Sequence, residues 1–215
     1  MPGASLQTDA FVLHKRPPSD TFVGLTVFSA EKGLLQVQQR LPKRPASAPR
    51  RASGGAAVNH PLDLFDEAAL LLESANDGRT WFVKEARLLV RSDTIGRDYE
   101  TLRGASEFAA LIRRHPGPEE SHARIAALLR TAFAAFAAGR RPDIVYLKSL
   151  YCFSRDEGYP VREEWLARLS SADRAATEKI LHQPVAAQDA PPAEVLRLRR
   201  RLEDYLRGFT EILPE

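Results

Sequence analysis

The period of the hydrophobic pattern changes partway along the chain, and this change constrains the fold more than any other feature. From about Asp9 to Val90, apolar residues tend to alternate with other residues, as they do in strands. From about Asp98 onward they recur every three or four residues, as they do on amphipathic helices. Strands followed by helices predict an α+β chain, which we divide into residues 1–92 and 93–215.

The first part is predicted to contain five short strands. Two of the connections are hairpin turns: Glu31-Lys32-Gly33 joins the second strand to the third, and Asn76-Asp77-Gly78 joins the fourth to the fifth. A longer excursion, about residues 42–61, is rich in Pro, Arg, Ser, Gly and Ala. Five strands with one long excursion are typical of a small Greek-key barrel of the OB type. The predicted strands are residues 10–15, 21–29, 34–41, 66–74 and 79–84.

The second part is predicted to be an all-α domain. The helix that begins at Pro142 and ends before Gly158 is apolar on nearly every side, so we expect it to be the most buried one. The other predicted helices are residues 98–114, 121–138, 161–169, 171–182 and 192–213. An arginine run on the last helix fits either a solvated face or a docking site for an acidic peptide tail; its members are Arg197, Arg199, Arg200 and Arg201.

Positive charge is concentrated in one segment of the predicted barrel. Between Lys32 and Leu62 there are six basic residues and no acidic one. Because the whole chain has a formal net charge of +3, these six charges leave the remainder at −3. Such concentration indicates a polyanionic partner, since Lys and Arg release counterions when they contact phosphates. A solubilising insert is the alternative interpretation. The six are Lys32, Arg40, Lys43, Arg44, Arg50 and Arg51.

Four aromatic residues of the predicted strands are candidates for base stacking, and each has the alternative of filling the barrel interior. They are Phe11, Phe22, Phe28 and Trp81. The positions of Phe22 and Phe28 alternate with the Val23, Leu25 and Val27 face, so we expect at least one of these two rings to be exposed.

Catalytic and metal-binding patterns are missing from the sequence. The five histidines are scattered, and a single cysteine, Cys152, excludes both an internal disulfide and a cysteine-rich zinc site. We find no nucleophile elbow and no glycine-rich phosphate loop. We therefore predict a binding protein rather than an enzyme, without a cofactor. The sequence offers no membrane span or secretory signal, so we expect a cytoplasmic protein in which Cys152 is a small buried group.

The order of several short motifs resembles RecO, the bacterial recombination mediator. Each motif is weak, but their sequence and spacing extend over most of the chain. They are Phe11-Val12-Leu13, Ser19-Asp20, Val27-Phe28, Glu31-Lys32-Gly33-Leu34-Leu35, the basic Arg40, Lys43 and Arg44, Leu62-Asp63-Leu64-Phe65, Glu85-Ala86-Arg87-Leu88-Leu89, Asp98-Tyr99, and Leu147 to Pro160 with its Gly158-Tyr159-Pro160 turn.

The resemblance implies a nucleoid-associated DNA repair and recombination protein. Its OB-fold would bind single- and double-stranded DNA and promote annealing, and its helical domain would meet RecR and the acidic tail of the single-strand-binding protein to help load RecA. Two departures are visible: Leu41 replaces a glycine of the family pattern, and the zinc-binding cysteines of many members are absent. Under this hypothesis Lys43, Arg44, Arg50 and Arg51 contact phosphates, with Lys15, Arg16 and Arg40 beside them on the barrel.

An alternative hypothesis is a non-catalytic adaptor. In that case the barrel is structural and the helical domain binds a protein partner, because OB barrels support many different functions.

Overall fold

The computed structural model describes residues 4–41, 61–74, 76, 78–212 and 214. The chain divides into two compact units, residues 1–91 and 92–215. The boundary predicted from the change of hydrophobic period lies one residue later along the chain.

The first unit is a closed barrel of five strands. Strand β1 pairs antiparallel with both β2 and β4, while β2 also pairs with β3 and β4 with β5. A short parallel pairing of β3 with β5 closes the barrel in the order β1-β2-β3-β5-β4. The predicted OB-type barrel is therefore confirmed. Its strands are β1 Ala4–Lys15, β2 Phe22–Ser29, β3 Gly33–Arg40, β4 Glu67–Ser74 and β5 Trp81–Val90.

The barrel interior is filled by apolar side chains from all five strands. Val27, Ala68 and Leu72 have no exposed surface, and Leu25, Val37 and Leu70 are about as deeply buried. These residues form one continuous cluster, against which the half-buried Trp81 also packs. Closure removes the free strand edges that an open sheet would present, and the cluster supplies the apolar burial that holds the wall together.

A tight turn brings the chain back onto the barrel before β4. Its centre, Phe65, has a φ of 66°, which is unusual for a bulky residue, yet its side chain is buried. The amide of Phe65 donates to the carbonyl of Val12 at 2.8 Å. The buried carboxylate of Asp66 accepts from the amide of Asp63 and pairs with Arg91 at 3.1 Å. These contacts hold the turn in its left-handed conformation.

The second unit consists of helices. Asp98 caps the first one by accepting a hydrogen bond from the amide of Thr101, so this helix begins one residue after the predicted start. The helices are α1 Tyr99–Arg114, α2 His122–Ala137, α3 Pro142–Asp156, α4 Leu166–Arg168, α5 Ser171–His182 and α6 Pro192–Phe209. Single turns precede some of them: 3₁₀ turns at Ile95–Arg97, Glu119–Ser121 and Val185–Ala187, and a π turn at Val161–Trp165.

The helix α3 is the centre of the second unit. It contacts α1, α2, α5 and α6, and nine of its fifteen residues are buried. This confirms the prediction made from its uniformly apolar sequence. Its first turn follows Arg141, whose φ of 48° is left-handed, and its end is followed by Gly158 with a φ of 88°.

Candidate nucleic-acid interface

The outside of the barrel wall formed by β2, β3 and β5 carries two of the predicted basic residues. The ladder register pairs Gly24 with Gln38 and then Gln38 with Phe82, in a row across three strands. Two residue pairs further along the β2–β3 ladder, Phe22 lies opposite Arg40. We call this surface the β2–β3–β5 face; its residues are Arg16, Phe22, Gly24, Thr26, Gln36, Gln38, Arg40 and Phe82.

Arg16 is held on the β2–β3–β5 face although it is exposed. Its amide donates to the carbonyl of Gly24 at 2.8 Å, and its Nη2 donates to Oε1 of Gln36 at 3.0 Å. A Cβ atom built on Gly24 would lie 3.2 Å from Cδ of Arg16, so the arginine stem occupies the space that a side chain at Gly24 would fill. The missing side chain therefore lets the arginine lie across the strand.

Arg40 ends β3 and is exposed. No hydrogen bond or ion pair joins its guanidinium to any residue within the described ranges. An exposed guanidinium with all its donors unused by the described residues is suited to an external anion such as a phosphate.

Lys15 lies in a different environment from its neighbour Arg16. Its Nζ is 3.2 Å from Oδ1 of Asp63, on the turn before β4. Burial works to raise the pKa of Asp63, but the amide of Leu64 and the ammonium of Lys15 outweigh it, so the pKa of this carboxyl lies below its ordinary value. The structure thus gives Lys15 an internal counter-charge and does not bring it to the β2–β3–β5 face.

The other predicted contacts, Lys43, Arg44, Arg50 and Arg51, lie outside the described residues. The chain on either side of this segment is fixed close to Arg40. The amide of Leu41 donates to the carbonyl of Thr21 at 2.8 Å, and the amide of Leu62 donates to the side chain of Gln39 at 3.1 Å. Both ends of the basic segment are therefore attached beside the end of β3.

Of the four aromatic candidates, only Phe22 contributes to the β2–β3–β5 face. Phe11 and Phe28 are buried, and Trp81 packs against the barrel core. The expectation that Phe22 or Phe28 is exposed is met only in part, because Phe22 is half-buried and Phe28 has no exposed surface.

A fifth ring, Phe82, belongs to the face and is not among the candidates taken from the sequence. It is 39% exposed, and its ring meets that of Phe22 edge-on, with 5.8 Å between centroids and 72° between planes. The signal is nevertheless present in the sequence. Trp81 and Phe82 are adjacent in a strand, so one of them must face outward, and inward alternation from Val83 identifies Phe82 as that residue.

The arginine run on α6 is engaged within the helical unit instead of forming a fully solvated face. Arg197 and Arg201 each donate to the carboxylate of Asp173 on α5 at 2.6 Å. Arg199 donates to Glu107 and Glu203 at 2.7 Å. Three of the four arginines therefore join α6 to other elements. Arg197, Arg200 and Arg201 are nevertheless exposed, as a solvated face predicts, whereas Arg199 is half-buried.

A groove of about 460 Å³ lies on the helical unit, between the first turns of α1 and α3 and the first half of α6. Its apolar lining includes Tyr146, Val195 and Leu196, and Leu196 is 45% exposed. Charged groups of both signs surround the lining: Asp98, Glu100, Arg103, Arg141, Asp143 and Arg199.

Reactive and metal-binding groups are few in the part of the chain that the structure describes. There, no three His, Cys, Asp or Glu side chains are grouped as metal ligands. Cys152 is half-buried, and burial raises the pKa of its thiol, which keeps it protonated at neutral pH. None of the helices in the described residues has the length and apolar character needed to cross a membrane.

Comparison with family models and comparison with curated proteins each give no match to this chain. The resemblance to RecO consequently stays a prediction from the motifs quoted above.

Proposed function

We propose that this protein binds DNA on the β2–β3–β5 face of its barrel and acts by binding, not by catalysis. The observation that carries the proposal is the combination on one surface of two exposed guanidiniums, Arg16 and Arg40, with a ring pair of the half-buried Phe22 and the exposed Phe82. Strands 2 and 3 of OB barrels are a common surface for oligonucleotides, and cations beside aromatic rings suit phosphates and bases.

The basic segment strengthens this proposal through its attachment points. Leu41 and Leu62, which flank the segment that contains Lys43, Arg44, Arg50 and Arg51, are both fixed beside β3. We propose that these four residues add phosphate contacts for DNA that is bound on the β2–β3–β5 face. Lys15 has a smaller part in this scheme, because Asp63 already neutralises it.

The biological role that we propose is that of a RecO-like DNA repair and recombination mediator. In this role the protein binds single- and double-stranded DNA at the nucleoid, promotes annealing and helps load the recombinase RecA. RecR and the acidic tail of the single-strand-binding protein are the proposed protein partners. The support is the OB barrel followed by a helical unit, in the order that the resemblance implies.

Fluorescence anisotropy of a labelled single-stranded oligonucleotide, titrated with the whole protein at several salt concentrations, tests the proposal. We expect binding whose affinity falls steeply with salt, because each neutralised phosphate releases counterions. No binding at low salt would contradict the proposal.

A second candidate function, a protein-interaction adaptor, is favoured by the groove between α1, α3 and α6. Its volume of about 460 Å³ and the exposed Leu196 at its edge suit a side chain of a partner. Micromolar or tighter binding of an acidic peptide, combined with weak DNA affinity, would favour the adaptor over the mediator. Leu196→Asp should then reduce peptide binding and leave DNA binding unchanged.

A further inference from the structure

The two phenylalanines of the barrel that keep exposed surface, the half-buried Phe22 and the exposed Phe82, come from strands that do not pair with each other. Phe22 is on β2 and Phe82 is on β5, and strand β3 runs between them. Their rings meet across β3, with centroids 5.8 Å apart. The other phenylalanines of the barrel unit, Phe11, Phe28 and Phe65, are each no more than 3% exposed. Burial thus separates the ring pair of Phe22 and Phe82 from the three buried phenylalanines.

The ring pair is not part of the apolar core. The inward positions of the same strands are filled by Val23, Val37 and Val83, which belong to the core cluster. An exposed ring on the opposite side of the wall leaves apolar surface in water, which is unfavourable unless a partner covers it. The exposed edge of this pair therefore has apolar surface available for an external planar group.

The surroundings of the rings fit a strand of nucleic acid better than a purely apolar partner. Arg40 lies opposite Phe22 in the β2–β3 ladder, and Arg16 crosses the wall at Gly24, two residue pairs further along. The polar side chain of Gln38 lies in register with Phe82. Guanidiniums on the same β2–β3–β5 face as the rings can bind the phosphates on either side of a base that stacks on a ring.

We propose that Phe22 and Phe82 stack on unpaired bases and make the β2–β3–β5 face selective for single strands over duplex. This inference rests on the proposed DNA binding and deepens it. In a duplex the base faces are stacked on one another, so the protein meets mainly phosphates and the edges of bases. The arginines would then serve both kinds of DNA, whereas the rings would serve single strands alone.

The test compares anisotropy titrations of the whole protein on three probes at one salt concentration. The probes are a single-stranded oligonucleotide, its duplex, and a strand of base-free deoxyribose phosphates. Phe82→Ala should weaken single-strand binding by roughly 5- to 150-fold, the range measured when one base no longer stacks on a ring. Its affinities for the duplex and the base-free strand should remain those of the wild-type protein.

Three further variants make the outcome specific. Phe82→Trp should retain single-strand affinity, because it keeps an aromatic face. Phe82→Leu keeps an apolar side chain beside Phe22 but has no aromatic ring, so it should weaken single-strand binding as Phe82→Ala does. It replaces the alanine variant in the test if that variant unfolds. Leu89→Ala truncates a side chain of the same strand, and Leu89 is 38% exposed against 39% for Phe82. This control variant should keep the wild-type affinity for all three probes.

Two results distinguish failure of this inference from failure of the proposed function. Equal reductions of affinity for single strand and duplex, or no reduction for either, in a protein that binds both, would overturn the stacking role alone. A wild-type protein that binds none of the probes at low salt would overturn DNA binding itself.

Discussion

The guanidinium of Arg199 on α6 lies over the ring of Tyr146 on α3, with 4.0 Å between its carbon atom and the ring centroid. The same guanidinium donates to Glu107 on α1 and Glu203 on α6. Only 15% of the arginine side chain and 16% and 7% of the two carboxylate side chains are exposed. One residue thus links three helices of the unit through charges that are largely removed from water.

Removal of this arginine should destabilise the helical unit. Arg199→Ala leaves Glu107 and Glu203 without their shared cation, and breaking a buried ion pair by removing one partner costs about 3 kcal/mol. Chemical denaturation followed by circular dichroism measures the change. The control is Arg200→Ala, because Arg200 is the exposed neighbour and should alter the free energy of unfolding by about 0.5 kcal/mol or less. Similar decreases in both variants would refute the linking role of Arg199.

Much of the fold is predictable from the sequence because both hydrophobic periods are clear in the central parts of most elements. The element boundaries that differ do so for local physical reasons. Strand β1 begins at Ala4, whereas the sequence predicts a start at Ala10. The first half escapes prediction because a polar residue, Thr8, occupies an inward position, where its hydroxyl hydrogen-bonds with that of Ser29. The sequence predicts that the last helix ends at residue 213, but α6 ends at Phe209. The backbone of Thr210 is extended, and its hydroxyl accepts a hydrogen bond from the amide of Ile212.

Strand β5 shows how an irregularity hides a strand. The sequence predicts that it ends at Lys84, but it continues to Val90. A register shift between Leu71 and Leu72 of β4 leaves both Lys84 and Glu85 exposed, so the alternation is interrupted. The candidate site is only partly predictable from the sequence.

The alternation within a strand predicts the sides of the strand on which Arg40 and Phe22 lie. The contact of Phe22 with Phe82 is not predictable in this way, because it depends on which strands pair to close the barrel.

The ion pair of Lys15 with Asp63 should make barrel stability depend weakly on pH. The pKa of Asp63 is lower in the folded protein than in the unfolded chain, so its contribution is present above the unfolded value near 4. The contribution disappears as the pH falls through the lower folded value. Because this pair is exposed, we expect no more than about 1 kcal/mol. Asp63→Asn should therefore lower the free energy of unfolding at pH 7, while the two proteins converge as the pH falls through the folded pKa of Asp63.

A comparison in concentrated salt checks that the pH effect is electrostatic. The gap between the wild-type protein and Asp63→Asn at pH 7 should narrow as the charges are screened, although the hydrogen bond from Leu64 keeps part of it. A gap that stays equally large as the pH falls from 7 through the folded pKa of Asp63 would show that the substitution acts through packing of the turn.

Neutralising the basic segment should reduce DNA affinity uniformly across sequences. For single strands, the dependence of log affinity on log salt should become shallower by about 0.7 for each phosphate that the protein no longer neutralises. The variant carries Ala at Lys43, Arg44, Arg50 and Arg51. A matched control removes four charges from the helical unit, with Ala at Arg113, Arg140, Arg162 and Arg200, and should keep the wild-type slope. An unchanged slope in the first variant would contradict the assignment of these residues.

The position of Arg16 on the β2–β3–β5 face should depend on the absence of a side chain at Gly24. A Cβ there would lie 3.2 Å from Cδ of Arg16 and 3.5 Å from Nε2 of Gln38, so Gly24→Val must displace the arginine stem. The variant keeps every charge of the chain. We nevertheless expect it to weaken single-strand binding, because the guanidinium moves away from the place where Gln36 holds it.

A double-mutant cycle isolates this effect from general damage to the barrel. Arg16→Ala alone should weaken binding and make the salt dependence shallower by about 0.7, the change expected when one phosphate is no longer neutralised. If Gly24→Val acts through Arg16, it should weaken binding further by little or nothing when Arg16 is already Ala, since residues that act through one shared interaction are not additive. Additive effects in the double variant would show that valine disturbs the barrel wall by another route. Thermal melting of all three variants, followed by circular dichroism, establishes that the barrel stays folded at the temperature of the titrations.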